Sequence, residues 1–283
     1  MENKSRLLKL LREKSGAGMA DCKIALDEAG GEIEKAIEIL RKKGIAKAAK
    51  RSDREAGEGV ILVDTNKAGN EGYILEMNSE TDFVARNEQF KGFADLVLKI
   101  IETKKPKSQK ELLRIKLSDY MVSLSGNTPL NREETVGERL AALSGTIGEK
   151  LEIKKYDILS SAGTVACYTH AGGRIGVLAA LDKAGQSSLA YNVAMQIAAA
   201  NPKYIKPEDV SPGEIAKEKE IYRAQLLKEG KPENMIDKII AGKLNKFYEE
   251  VCLVKQEYIK DDKKSVEDIL GGVKAEKFVR YSL

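Results

Sequence analysis

Twice in this chain two short β-rich runs close around a turn and are followed by an apolar stripe of helical period. In the first copy, Val60–Asp64 and Gly72–Met77 flank Asn66-Lys67-Ala68-Gly69-Asn70, and Phe90, Phe93, Ala94, Val97, Leu98 and Ile101 follow. In the second, Thr164–Thr169 and Arg174–Leu181 flank Ala171-Gly172-Gly173, and Leu189, Val193, Ile197 and Ala200 follow. An antiparallel hairpin buries one face only when a helix or a second sheet covers it, so the repeat predicts two related α+β subdomains packed together. Gly172-Gly173-Arg174-Ile175-Gly176 is therefore a hairpin turn. It lacks the first glycine of a dinucleotide fingerprint and leads into a strand, not a helix.

Around this core the patterning predicts further helical parts. Residues 1 to about 45 read as three short helices. Their stripes are Leu7, Leu8 and Leu11; then Met19, Cys22, Leu26 and Ala29; then Ile33, Ala36, Ile37 and Leu40. Gly16-Ala17-Gly18 and Gly30-Gly31 separate them, Gly44 ends the third, and a basic linker runs from about Ile45 to Ala56. After Thr103-Lys104-Lys105-Pro106 a helix is expected through Leu112, Leu113, Ile115, Leu117, Met121 and Leu124. A break at Ser125–Pro129, a helix with Val136, Leu140 and Leu143, and a strand at Leu151–Tyr156 follow. Ser211-Pro212-Gly213-Glu214 starts a helix with a capping box. Its stripe of Ile215, Tyr222 and Leu226 faces that of Ile236, Ile240, Leu244 and Phe247 across a reversal at Gly230-Lys231-Pro232, as in an antiparallel coiled-coil hairpin. Phe278–Tyr281 reads as an edge strand of the second sheet. The domains expected are 1–55, a helical bundle with linker; 56–157, a first α+β subdomain; and 158–283, a second with the helical hairpin inserted at about 211–251.

Composition limits the chemistry. The chain has 283 residues and a net charge of +4 from 48 basic and 44 acidic side chains, too balanced for a dedicated DNA or RNA binder. The one basic cluster, Arg41-Lys42-Lys43 with Lys47, Lys50, Arg51 and Arg54, reads as a solvated helix face, with RNA or ribosome contact as the alternative. No apolar run is long enough for a bilayer, and Cys22, Cys167 and Cys252 read as thiols of a reducing cytoplasm. His170 is the single histidine. Its zinc-like spacing from Cys167 lacks a second ligand pair, so no metal and no cofactor is expected. Gly230-Lys231 and Gly242-Lys243 lack the upstream glycine and the Ser/Thr of a phosphate-binding loop. Without a catalytic constellation, the chain reads as a macromolecular binder and not an enzyme.

Asn78-Ser79-Glu80-Thr81-Asp82-Phe83-Val84-Ala85 stands where the first hairpin gives way to its helix. Ser79 and Asp82 fit a capping box, and taken alone the stretch reads as a helix start with Phe83 in the core. The alternative is an aromatic presented to a partner beside a carboxylate.

Thr81–Ala85, together with Gly16-Ala17-Gly18-Met19, Asp21-Cys22-Lys23, His170, Arg174-Ile175-Gly176-Val177 and Ile205-Lys206-Pro207-Glu208-Asp209-Val210, resembles translation elongation factor Ts, in the family's order through nearly the whole chain. The resemblance implies a ubiquitin-associated-like N-terminal bundle, a two-part core and an inserted coiled-coil hairpin. It implies guanine-nucleotide exchange on the GTPase elongation factor Tu, with Thr81, Asp82, Phe83 and Val84 dislodging Mg²⁺ from the partner's nucleotide site. Further contacts are implied at Arg12, Met19, Ile147, Gly148 and His170. The family also includes homodimers formed through the second subdomain. This chain departs from the pattern at Ala20, where a large apolar residue is common. Its 103–134 region also reads as longer than in compact members, and the C-terminal helical module that adds contacts in some members is not expected here.

Overall fold

The computed structural model describes residues 2–119 and 134–283. The chain runs α1 (Glu2–Ser15), α2 (Met19–Glu28), α3 (Ile33–Ala49), β1 (Glu58–Thr65), β2 (Glu71–Ser79), α4 (Asp82–Ala85), α5 (Glu88–Lys104), α6 (Gln109–Arg114), α7 (Val136–Ile147), β3 (Leu151–Ser160), β4 (Thr164–His170), β5 (Ile175–Leu181), α8 (Ser187–Ala200), α9 (Pro212–Lys228), α10 (Glu233–Val251), β6 (Glu257–Tyr258), β7 (Asp261–Ser265), α11 (Val266–Leu270) and β8 (Ala275–Ser282). The fold is α+β, as the hairpin–helix repeat predicts. Among the described residues, no helix is long and apolar enough to cross a membrane.

Two three-stranded antiparallel sheets, β1-β2-β3 and β4-β5-β8, stack face to face, each with a helix on its outer side. The period-2 alternation of a strand decides which side chain goes where. In β2, Tyr73, Leu75 and Met77 face α5, whose Phe90, Phe93, Val97 and Ile101 fill the first core. Ile74 points the other way, with Ile61 of β1, onto Val165, Leu178 and Ala180 of the second sheet. In β5, Val177, Ala179 and Leu181 face Val193, Ala194 and Ile197 of α8. The sheets approach closely at glycines: a Cβ on Gly176 would stand 2.4 Å from Ile61 Cγ2. β8 is an edge strand, as read from Phe278–Tyr281.

Several local expectations are corrected. Gly44 does not end its helix, because α3 continues to Ala49. Gly44 lies instead against Gly145 of α7, so its missing side chain serves a close helix crossing. The helix expected through Ile115 and Leu117 stops at Arg114. There Leu117 N–H donates to Glu134 C=O and Val136 N–H to Ile115 C=O, and this strand-like pairing displaces the helical one. Its expected continuation through Met121 and Leu124, and the break at Ser125–Pro129, lie outside the described residues. At α9 the Ser211 hydroxyl accepts from Glu214 N–H, but the Glu214 carboxylate takes the Tyr204 hydroxyl and leaves the box half made. The small β6–β7 hairpin and α11 leave no periodic signal, since Glu257–Leu270 is mostly polar. Met19 leaves the second N-terminal stripe and is 47% exposed, while Cys22, Ala25 and Leu26 close that core with Leu11 and Ala36.

α9 and α10 pack along a seam of Leu226, Ile236, Ile240 and Leu244 with Tyr222 beside it. Both ends of this excursion return to one place. Tyr204 N–H donates to Val251 C=O at 3.0 Å, and Leu253 N–H donates to Tyr204 C=O at 2.9 Å.

Candidate functional site

The junction between β2 and α5 is held from behind by the junction between α7 and β3. Thr81 begins the single turn of α4 with extended backbone (φ −127°, ψ 156°). Its N–H donates to Glu149 Oε2 at 3.0 Å and its hydroxyl to Glu149 Oε1 at 2.7 Å, so one carboxylate grips both groups. Glu80 reaches back to accept the Lys150 N–H at 2.6 Å and pairs with Arg54 at 3.2 Å. Ser79, expected as the cap, donates instead to Thr81 C=O at 2.9 Å. The capping box is therefore replaced by a tertiary clamp. Glu149, 68 residues along the chain from Thr81, supplies the acceptor that Ser79 would have supplied locally.

This clamp decides where the next side chains go. Val84 is buried in the first core. Asp82 stays at the surface and pairs with Arg86 one turn on, at 2.9 Å. Phe83 is 80% exposed, by far the most exposed of the large apolar side chains described. Asn87 then starts α5, its Oδ1 accepting from Gln89 N–H at 2.8 Å and Phe90 N–H at 3.3 Å. The expectation that Phe83 enters the core, taken from the stretch alone, is overturned. Val84 fills that place, and a short turn pinned at both ends cannot rotate Phe83 inward.

Glu80 gives the clamp a pH limit. The Lys150 N–H and the Arg54 guanidinium hold its carboxyl below the ordinary 4.5, against the opposing cost of burial. A depressed folded-state pKa contributes stability that is complete above the unfolded value. That contribution is lost as the pH falls through the lowered one. Acidification below about 4.5 is therefore expected to release the turn. Hydrogen exchange of the Thr81–Arg86 amides should accelerate relative to those of α5; equal acceleration of both segments would show that Glu80 does not hold it.

The other residues singled out in the sequence fall around this turn. Ile147, half-buried against the first core, and Gly148, at φ 93° closing α7, immediately precede Glu149, so they sit directly behind Thr81. The Gly16–Met19 turn comes to the same region: a Cβ on Gly16 would touch the Gln89 side chain at 2.8 Å and Thr146 Cγ2 at 3.4 Å. Arg12 and Met19 are exposed and line one shallow groove with Leu8 and Lys9. His170 is exposed at the end of β4, its Nδ1 3.1 Å from the Tyr168 hydroxyl. Its hairpin tip bends over the first sheet, where Ile61 N–H donates to Gly173 C=O at 2.7 Å and Arg174 pairs with Glu58 at 2.9 Å. Glu58 stands opposite Ser79 in register, so this tip lies at the end of the sheet that leads into Phe83.

Cys167 and His170 do not form a ligand pair. Three residues apart on a strand they point to opposite faces, Cys167 toward the inter-sheet core and His170 outward with Tyr168. Burial pushes the Cys167 thiol up, away from a ready thiolate. Among the described residues, no group of three or more His, Cys, Asp or Glu is arranged to hold a metal ion. Sequence reading missed Glu149, Glu80 and Arg54. The one trace of Glu149 is an acid directly after the helix-ending glycine.

A family model described as elongation factor TS matches residues 80–283, beginning at the clamped turn itself. The chain is also 45% identical to the elongation factor Ts of Chlorobaculum tepidum over 288 aligned positions, covering 98% of this chain and 96% of that protein. By a family match over residues 80–283 and by this near full-length identity, the chain belongs to the elongation factor Ts family.

Proposed function

We propose that this protein is a guanine-nucleotide exchange factor for elongation factor Tu in the cytoplasm, acting as a binder and not as an enzyme. The observation that carries the reading is Phe83, 80% exposed on a turn that Glu149 and Asn87 hold at both ends. A large aromatic kept out of its own core at a fixed place is suited to entering another protein. In this reading Phe83 is driven beside the Mg²⁺ site of the GTPase. Mg²⁺ demands near-ideal octahedral oxygen geometry, so a displacement of the groups around it weakens its hold and that of the diphosphate it bridges. Asp82, at the surface beside Phe83, would exchange Arg86 for donors of the partner's phosphate pocket. Thr81 and Val84 fix the turn.

Exchange requires that the nucleotide-free partner be bound better than the loaded one, and the coupling is reciprocal. A shift of four orders of magnitude takes about 5.5 kcal/mol, more than the ~1.5–3 kcal/mol of one buried Phe. The remaining contacts are assigned to the modules around the turn. These are the ubiquitin-associated-like bundle through Arg12 and Met19, the Ile147-Gly148 junction, the His170 tip and the coiled-coil hairpin.

The test is release of a fluorescent GDP from elongation factor Tu, with this chain and with its Asp82→Ala and Glu149→Gln variants. Acceleration by the wild type that falls with both variants is expected, since one removes the charge and the other loosens the turn. No acceleration by the wild type rejects the exchange reading. The RNA-binding alternative would then predict affinity that falls steeply with salt. Its basic cluster is largely neutralised within the chain, with Lys42 on Glu38, Lys43 on Glu28, Lys47 on Asp21 and Arg54 on Glu80.

A further inference from the structure

The N-terminal helices could be a tethered appendage or a fixed part of the body, and the crossing of α3 over α7 distinguishes the two. A Cβ on Gly145 would stand 2.2 Å from Gly44 Cα and 2.5 Å from its carbonyl carbon and oxygen. These are backbone atoms, so no side-chain rotation relieves the clash. The converse substitution is ordinary: a Cβ on Gly44 meets Ala142 O at 3.5 Å and Gly145 Cα at 3.6 Å. Both sides of the crossing carry tertiary contacts. Arg41 pairs with Glu134 at 3.3 Å and Glu138 at 3.2 Å, and three turns on Arg51 donates to Ser144 C=O at 3.4 Å. Glu134 is 2% exposed and faces both Arg139 and Arg41, so losing Arg41 removes one of two cations that balance a buried carboxylate and frees the tie between the modules.

The last turn of α7 touches both sides of the molecule within a few residues. Gly145 meets Gly44, and Thr146 lies beside Gly16. Ser144 Oγ donates to the Glu149 carbonyl, and Glu149 holds Thr81. We propose that Gly145 is a positioning residue that locks the N-terminal module onto the core, so that the Met19 groove and the Phe83 turn meet a partner as one rigid surface. The locking stands on the geometry alone; its consequence for nucleotide release rests on the exchange reading above.

The experiment compares full-length Gly145→Ala with Gly44→Ala. Two quantities are read: the rate of tryptic cleavage at Lys47, Lys50, Arg51 and Arg54, and the chain concentration giving half-maximal GDP release from elongation factor Tu. Gly145→Ala is expected to raise both about tenfold, whereas Gly44→Ala leaves both within about twofold of wild type. Arg41→Met is the second variant, expected to shift both in the same direction if Gly145→Ala fails to fold. Unchanged cleavage in a folded Gly145→Ala, or equal effects of the two glycine variants, overturns the locking. Faster cleavage with unaltered release overturns the positioning role. If the wild type releases no GDP, the exchange reading fails, and the contrast in cleavage still decides whether the module is locked.

Discussion

Phe83→Ala is expected to slow GDP release from elongation factor Tu about ten- to hundredfold, the equivalent of losing ~1.5–3 kcal/mol of aromatic burial made only in the complex. The same change should leave the unfolding midpoint of the isolated chain where it is. At 80% exposure Phe83 has little packing to lose, and surface substitutions usually fall within about 0.5 kcal/mol of neutral. Val84 stays in the first core and the Thr81–Glu149 contacts are untouched, so the turn keeps its shape. Stopped-flow release and urea unfolding, measured on one preparation, separate the two effects. A variant that releases GDP as fast as wild type would remove Phe83 from the mechanism. A variant that loses more than about 2 kcal/mol of stability would mean that the side chain is buried in solution.

Seven residues later the same residue type is expected to behave in the opposite way. Phe90 is fully buried at the start of α5, in the core that this helix shares with the first sheet and α7. Phe90→Ala should cost ~3–5 kcal/mol, the lost transfer energy of the ring together with the cavity left behind. That is a large share of the ~5–15 kcal/mol that holds an ordinary domain, so the urea midpoint should fall far. Release measured at a temperature where the variant is still folded should be nearly normal, because Phe90 does not reach the surface. A loss under about 1 kcal/mol would contradict the packing of α5 on β2.

The pair shows how far local pattern reaches. Phe90 belongs to a stripe of helical period, and its burial is legible from spacing alone. Phe83 lies in a single turn too short to have a period, so its direction depends on a contact that no local rule contains. Thr81 is held by Glu149, and without that grip Ser79 and Asp82 are the natural cap. Gly44 teaches the same lesson in a helix. A glycine near the end of an apolar stripe reads as a stop, and only the presence of Gly145 on another helix makes it a contact. Ile115 and Leu117 continue a helical pattern, yet their backbone pairs with Glu134–Val136.

By itself the sequence determined the two hairpin–helix units, the helical hairpin between Ser211 and Val251, and the edge strand near its end. These follow from periods of two and of about 3.6 and from turn residues, which act over a few positions. The tertiary structure alone decided which of two neighbouring apolar residues leaves the core, which glycine breaks a helix and which admits another, and how far Met19 stands out. The first two of those outcomes each depend on a group far along the chain, Glu149 for Phe83 and Gly145 for Gly44. Steric exclusion and hydrogen-bond satisfaction between distant segments leave no period in the sequence to read.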